Sequence, residues 1–197
     1  MALTEGKLPD WRDALPWPGR DTHKHMRGRL GVVSGPATRT GAARLAARAG
    51  LRIGAGVVRI LCPPDAAPVI AAAIEAVMLS SFGSADALTE LVEGMDAVVI
   101  GPAAGITDAT RAHVRAVAAT GAAMVVDADG LTVFDAYGQW LFRGRAAPER
   151  LASKVIVILH EGSAGRDADI EAIRLAWKAE TGHQSVLWVK QAAFVSF

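Results

Sequence analysis

The chain has 197 residues, 51% of them hydrophobic, and its 21 basic and 20 acidic side chains leave a formal net charge of +1. That length suits one domain that buries about 70% of its unfolded-chain surface, and the charge gives no electrostatic reason to expect nucleic acid or an anionic membrane as partner. The single cysteine excludes an internal disulfide and predicts a cytoplasmic protein, and no apolar run predicts a signal peptide or a membrane span.

Residues 1–28 contain several Pro and Trp residues and are predicted to form an irregular arm, followed by one α/β domain over 29–197. Six short apolar runs predict strands, at 30–33, 56–61, 96–100, 122–127, 154–159 and 185–189. Five longer amphipathic stretches predict helices, near 41–53, 66–76, 107–119, 130–136 and 168–181. The strand patterns are continuously apolar, which is typical of parallel strands covered on both faces. We therefore predict a three-layer, mostly parallel sheet with helices on both faces.

The stretch "SGPATRTGAA" follows the first predicted strand, at the edge of the sheet where ligands usually bind. Gly35 and Gly41 would let the backbone approach a ligand closely, and Thr40 would cap the next helix. The free N–H groups at the start of that helix suit a phosphate or a polarised oxygen. The alternative is that the small residues only let the helix pack tightly on the sheet.

"GPAAG" and "DADGLT" follow the third and fourth predicted strands. Gly101 and Gly105 would admit a sugar or a ring of the substrate, or would only make the turn. Asp127 and Asp129 would hold Mg²⁺ through water or orient a substrate hydroxyl. In the alternative interpretation, Asp129 is the N-cap of the next helix.

Two further residues follow the last predicted strands. His160, in "HEGS", would hydrogen-bond a substrate or phosphate oxygen as a neutral imidazole, and Lys190 would meet a nucleotide phosphate. The alternatives are a solvated loop histidine and a lysine that extends from the sheet end into water. From the arm, His23, Lys24 and His25 are further candidates to reach the same edge, the alternative being that these charged arm residues are only solvated.

Together these stretches resemble the ADP/ATP-dependent NAD(P)H-hydrate dehydratases, a family with a ribokinase-like fold. The most specific similarity lies in "TGAARLAARAGLRIGAG" at 40–56 and in "VVDADGLT" at 125–132. Weaker similarity is found in "HKHMRGRLGVVSG", "IEAVML", "VVIGPAAG", "LHEGS" and "VLWVKQ". The resemblance covers roughly residues 20–195 and corresponds to about the first two thirds of a family domain.

The resemblance implies repair of hydrated NADH or NADPH, in which a nucleotide phosphate is transferred to the added hydroxyl and then leaves. It implies ADP or ATP as donor, with ADP typical of bacterial members, together with Mg²⁺, and a homo-oligomer as the assembly. The candidate substrate-binding residues are Ala42, Ala43, Gly105, Asp127, Asp129 and His160. Lys190 is the candidate nucleotide-binding residue, and no metal ligand is assigned.

Several positions depart from the family pattern. Ala103 replaces the middle glycine of the Gly-Pro-Gly-x-Gly loop, and Gln191 stands where a glycine is expected. Ile158, Leu159 and Ser163 replace other family residues around His160. The Gly-x-Gly-Asp motif, which in the family supplies an anion hole and the catalytic aspartate, does not occur in the sequence.

From these departures we expect a domain without its final third, no assigned catalytic residue and impaired activity. Two other interpretations stay open. One is a non-catalytic protein that binds nucleotide or a partner subunit. The other is a different ribokinase-like small-molecule kinase, such as one acting on a hydroxymethyl-pyrimidine or hydroxymethyl-thiazole.

Overall fold

A parallel sheet is the centre of the fold. The computed structural model describes residues 17–134 and the backbone of two further strands, at 155–160 and 186–191. The strands in this part of the chain are β1 (Arg29–Val33), β2 (Val57–Cys62), β3 (Met78–Ser81), β4 (Ala97–Ile100), β5 (Ala123–Asp127), β6 (Val155–His160) and β7 (Val186–Gln191). They pair in the order β3-β2-β1-β4-β5-β6-β7, and every pair is parallel.

Helices connect the strands. Within residues 17–134 they are α1 (Gly41–Ile53), α2 (Ala67–Ala71), α3 (Ala85–Val92), α4 (Asp108–Ala118) and α5 (Asp129–Thr132), with 3₁₀ turns at Lys24–Arg27 and Ala37–Arg39. Ser84 caps α3 and Thr107 caps α4, each through a side-chain oxygen that accepts a backbone N–H three residues later. Gly54, at φ 115°, ends α1 in a left-handed conformation. None of the helices described is long and apolar enough to cross a membrane.

The helices form a layer on each face of the sheet. Val32 and Ile60 pack on one face with Ala43 and Ala47 of α1. Their strand neighbours point the other way, into a second core cluster that includes Val33, Leu61 and residues of α3 and α4. Because successive side chains of a strand alternate between faces, both faces are covered only if the strand is apolar throughout. Each fully buried aliphatic side chain contributes about 1.5–3 kcal/mol.

Residues 24–28 of the arm lie at the amino end of the strands. The N–H groups of Gly56 and Val57 both donate to the Gly28 carbonyl, at 3.0 and 3.2 Å. A Cβ built on Gly56 would stand 1.6 Å from the carbonyl oxygen of Lys24, so the backbone of the arm rests directly on this glycine. Because Gly56 precedes β2, the arm's 3₁₀ turn lies at the edge opposite the carboxyl ends of the strands. The expectation that His23, Lys24 and His25 reach the carboxyl edge is therefore wrong.

The three-layer, parallel architecture predicted from the sequence is confirmed, and each of the six predicted strands lies within two residues of its position in the structure. Two elements were not predicted. The four-residue β3 forms the edge beyond β2, and the predicted helix over 66–76 is limited to α2 because the chain must return to this strand. Helix α3 was also missed. The predicted helix at 168–181 and the first sixteen residues of the arm lie outside the described residues.

The strand order reverses direction between β1 and β4. From β1 the chain builds outward through β2 and β3, and then β4, β5, β6 and β7 extend the other side. The connections that leave β1 and β4 therefore diverge to opposite sides and open a crevice between them. In open parallel sheets such a switch point is where ligands bind.

Candidate active site

Two loops meet at the switch point, one after β1 and one after β4. A Cβ built on Gly35 would stand 1.9 Å from the carbonyl oxygen of Ala103, which means that the two backbones touch here. Ser34 beside it is buried, and its N–H donates to the Leu61 carbonyl at 2.8 Å. The close approach at Gly35 is thus made to the backbone of the 101–105 loop, while the predicted approach to a ligand stays a prediction. This contact fixes the floor of the crevice.

The 101–105 loop is shaped by three residues with positive φ: Gly101 at 120°, Ala103 at 58° and Gly105 at 88°. The Ala104 N–H closes a tight turn by donating to the Gly101 carbonyl at 3.0 Å. Ala103 adopts a conformation that costs a residue with a Cβ about 1 kcal/mol and that glycine adopts freely. The backbone therefore retains the shape of a glycine-rich loop at the position where the sequence has alanine.

Asp129 links this loop to the end of β5. Its Oδ2 accepts the Gly105 N–H at 2.8 Å. The alternative interpretation of Asp129 as an N-cap is wrong, because the cap position of α5 is Ala128 and Asp129 is already the first helical residue. Ala128 has φ 46° and ψ −120°, an uncommon conformation for a residue with a side chain. This turn directs the Asp129 carboxylate toward the loop.

Asp127 ends β5 on the other side of the same turn. Its Oδ1 accepts the Ala128 N–H at 2.7 Å, and its carbonyl oxygen lies 1.9 Å from where a Cβ of Gly101 would be. Among the described side chains, no three of the His, Cys, Asp and Glu residues come together as a metal site would require. The Asp129 carboxylate thus holds the 101–105 loop, whereas the Asp127 carboxylate accepts the N–H of its own neighbour. The predicted roles of both residues toward Mg²⁺ or a substrate hydroxyl stay predictions.

Helix α1 presents its first turn to the crevice. Ala43 is 2% exposed and belongs to the core on the sheet, whereas Ala42 is half-buried. Of the two alanines predicted to line a substrate site, Ala42 is thus the one with surface available to a ligand. Thr40 does not cap the helix as predicted, because its own backbone is already helical, at φ −85° and ψ −10°, and its side chain accepts no cap hydrogen bond.

The two remaining predicted residues lie on strands described by their backbone. His160 is the last residue of β6 and pairs with Gln191, and Lys190 pairs with Leu159. Asp127 pairs with Ile158, so His160 lies just beyond Asp127 at the same edge. His160 and Lys190 are therefore strand residues, although the sequence placed His160 in the loop after its strand. The register brings both to the carboxyl edge.

One charged residue at this edge was not predicted. Arg39 ends the 3₁₀ turn after β1, and its guanidinium lies against Gly105. Arg39 lies two residues before α1 begins, and an arginine at such a position carries no distinctive sequence signal, because exposed arginines are common. The signal is spatial, since only the contact of the two loops brings Arg39 to the 101–105 loop.

Cys62 ends β2 at the same edge but is not suited to nucleophilic chemistry. Burial raises the pKa of the Cys62 thiol, and the nearby Asp65 carboxylate raises it further. The thiol is therefore held in its protonated form, which is the poor nucleophile.

Solved structures with this architecture are ribokinase-like. A ribokinase-like superfamily protein from Enterococcus faecalis superposes with a TM-score of 0.65 at 19% identity, over 89% of this chain and 61% of that protein. The ADP/ATP-dependent NAD(P)H-hydrate dehydratase of Bacillus subtilis, co-crystallized with ATP/Mg²⁺, gives a TM-score of 0.62 at 20% identity, over 90% and 62% of the two chains. The chain thus shares the fold of these ribokinase-like α/β structures.

Comparison of the amino-acid sequence identifies a family within this fold class. The family model for NAD(P)H-hydrate dehydratase matches residues 30–150, and the chain belongs to that family. The human ATP-dependent (S)-NAD(P)H-hydrate dehydratase is 30% identical over 196 residues, which cover 95% of this chain and 54% of the relative. The bifunctional NAD(P)H-hydrate repair enzyme of Coxiella burnetii is 33% identical over 134 residues, or 66% of this chain and 28% of the relative.

The chain therefore spans only part of these relatives, about half of the human protein. A second family model, DUF3574, described as a protein of unknown function, matches residues 125–197. It overlaps the first model over 125–150 and alone covers β6 and β7. Gly105, Asp127 and Asp129 lie inside the dehydratase match, and His160 and Lys190 lie beyond it.

Proposed function

We propose that this chain acts on hydrated NADH or NADPH and uses an adenine nucleotide to remove the added water. The observation that carries this proposal is the Asp129 to Gly105 hydrogen bond, which ties the 101–105 loop to the turn after β5 at the switch point, within the family match. Because Gly105 has no side chain, a ring or a ribose could contact its backbone beside the Arg39 guanidinium.

In the proposed reaction, phosphate is transferred from ADP or ATP, supplied as its Mg²⁺ complex, to the hydroxyl of the hydrated ring. Departure of that phosphate, together with a proton from the neighbouring ring carbon, then restores the double bond. Ala42 and Gly105 would contact the hydrate, while Asp127 and Asp129 would hold the loops around it. His160 would hydrogen-bond the substrate, and Lys190 would meet the nucleotide phosphates as a point charge. The substrate therefore binds between β1 and β5, with the nucleotide toward β7.

Turnover by the 197-residue chain is expected to be slow. The sequence contains no Gly-x-Gly-Asp motif, and no described carboxylate is assigned as the base that activates the hydroxyl. Loss of a positioned base costs about 10²–10⁴-fold in rate, and loss of an anion hole about 10²–10³-fold. Binding of the hydrated dinucleotide without rapid turnover is the second candidate function, because the loops at the switch point are fully formed.

The test is to mix the purified chain with hydrated NADH, Mg²⁺ and either ADP or ATP, and to follow the return of reduced-nicotinamide absorbance. Binding of the hydrate is measured in parallel by calorimetry. Binding with slow turnover supports the proposal. Formation of a stable phosphorylated product without return of absorbance would instead identify a kinase, and failure to bind either hydrated dinucleotide would overturn the proposed substrate.

Asp129→Ala is the informative variant, since it removes the acceptor of the Gly105 N–H. It should weaken hydrate binding about 10-fold, because the charge-assisted hydrogen bond that orders the loop is lost. Asp86→Ala is the matched control. Asp86 is exposed in the first turn of α3, and no hydrogen bond of the described residues joins it to the 101–105 loop, so its loss should leave binding unchanged.

A further inference from the structure

Arg39 is held in place by the turn on which it lies. Its backbone N–H donates to the Pro36 carbonyl at 2.8 Å, and the N–H of Ala37 donates to Asp65 Oδ2 at 3.2 Å. The first bond closes the 3₁₀ turn, and the second ties that turn to the loop after β2. The backbone that carries Arg39 is thus fixed from two sides at the carboxyl edge.

The guanidinium lies over the 101–105 loop. A Cβ built on Gly105 would stand 3.4 Å from one terminal nitrogen of Arg39 and 3.9 Å from both the central carbon and the other terminal nitrogen. The guanidinium therefore packs against Gly105 with one terminal nitrogen nearest. A guanidinium carries five N–H donors and accepts no hydrogen bond, so it can bind only groups that offer lone pairs.

The Arg39 guanidinium also has donors that its described surroundings leave unused. Among residues 17–134, no hydrogen bond or ion pair joins its side chain to another residue. Asp129, on the other side of Gly105, directs one carboxylate oxygen to the Gly105 N–H. Arg39 therefore presents a planar set of donors beside the residue that we propose contacts the hydrate.

We propose that Arg39 binds a phosphate of the hydrated dinucleotide and contributes to substrate selection; this inference rests on the proposed function. A guanidinium forms paired hydrogen bonds with phosphate oxygens, and the contact with Gly105 places this one at the 101–105 loop. Hydrated NADH offers the diphosphate that joins its two nucleosides. Hydrated NADPH offers the same diphosphate and, in addition, the phosphate on its adenosine ribose.

The experiment is calorimetric binding of hydrated NADH and hydrated NADPH to the full chain and to three variants. Arg39→Gln should weaken binding about 10- to 100-fold, the usual effect of losing a charge-assisted contact. Arg39→Lys should recover part of this loss, because lysine keeps the charge without the paired geometry. Arg52→Gln, which removes an exposed arginine from the end of α1, is the control and should bind like the unmodified chain.

A comparison of the binding losses for the two ligands shows which phosphate Arg39 contacts. An equal loss for both means contact with the diphosphate, and a loss confined to hydrated NADPH means contact with the ribose phosphate. If Arg39→Gln binds both ligands as Arg52→Gln does, the inference is overturned while the proposed function stands. If the unmodified chain binds neither ligand, the proposed function is overturned and the inference with it. Unfolding curves of all variants confirm that each is folded, which the exposure of both arginines leads us to expect.

Discussion

Gly101 leads from β4 into the loop of the candidate site, with φ at 120° and its α-carbon against the turn after β5. Gly101→Ala should destabilise the chain by about 3 kcal/mol or more, because it adds backbone strain to a Cβ only 1.9 Å from the Asp127 carbonyl oxygen. Urea denaturation followed by circular dichroism measures this difference in the free energy of unfolding.

Gly83→Ala is the matched control for that substitution. A Cβ built on Gly83 meets nothing within 4 Å, and its φ is not in the positive region. Its effect should stay within about 0.5 kcal/mol of zero. If the two variants unfolded at the same denaturant concentration, the close contact between the loop and the end of β5 would be wrong.

The sequence indicated which residues gather at the carboxyl edge but not what each one does. Small and acidic residues directly after apolar strands predict that edge because parallel strands end together. Whether Thr40 or Asp129 caps a helix depends on which residue is the first with helical backbone angles. Thr40 has helical φ and ψ, and the strained turn at Ala128 moves Asp129 inside its helix. Local sequence patterns cannot show which residue is the first helical one, because tertiary contacts determine it.

At the scale of elements, Arg111 attaches α4 to the segment that follows α5. Its Nε and one terminal nitrogen donate to the Val133 carbonyl at 3.1 and 2.7 Å, and its guanidinium lies 5.7 Å from the Phe134 ring centroid. Arg111→Met should cost about 2 kcal/mol of stability, because a charge-assisted pair of hydrogen bonds is lost. Arg52→Met is the control and should change little. Equal unfolding free energies for the two variants would contradict this attachment.

His113, also on α4, makes stability depend on pH. Burial lowers the pKa of His113, and its ring meets the Phe82 ring edge-to-face at 5.0 Å. The unfolded chain, with an ordinary histidine pKa of about 6.5, binds the proton more readily than the folded chain. The contribution of His113 is therefore fully present above about pH 6.5 and is lost as pH falls from there through the lowered pKa.

His113→Phe keeps the aromatic contact and removes the titration. The free energy of unfolding of this variant, measured in urea between pH 7.5 and pH 5.5, should fall less than that of the unmodified chain. An identical loss in both proteins would show that the histidine is charged without penalty in the folded state.

The elements that sequence reasoning missed are short and depend on their neighbours. Strand β3 has four residues, two of them serine, and lies beyond β2 at the edge of the sheet, so its pattern is neither continuously apolar nor alternating. Helix α3 has eight residues. The Ser84 cap was the available signal for it, followed by Leu88 and Val92 four residues apart. The long helix α1 and strand β5 were predictable because each is apolar on every face that packs.

At the scale of the whole molecule, ligand binding should appear as added stability. A ligand that binds only the folded chain at about 100 times its dissociation constant adds about 2.7 kcal/mol, which for a chain of this size raises the melting temperature by roughly 5–10 °C. We expect this shift with hydrated NADH and, separately, with ADP or ATP. Adenosine, which lacks the phosphates, is the control, and an equal shift with adenosine would contradict phosphate recognition.

The layered architecture was predictable as a whole because alternating apolar strands and amphipathic helices admit few arrangements. The position of the crevice was not, since the strand order follows from which connections cross which face. Only the order β3-β2-β1-β4 shows that the loops after β1 and β4 adjoin. The contribution of Arg39 to this edge depends on that adjacency, so it could not be predicted from the sequence.

The interior position of β1 also affects how the chain folds while it is being synthesised. Leu30 pairs with Val58 on one side and with Ala97 on the other, so the second edge of β1 stays open until a strand made much later arrives. At about 5–20 residues per second, the ribosome takes several seconds to deliver β4 after β2. During that interval the newly made half of the sheet exposes an unpaired apolar edge, which is the surface that other nascent chains and chaperones recognise.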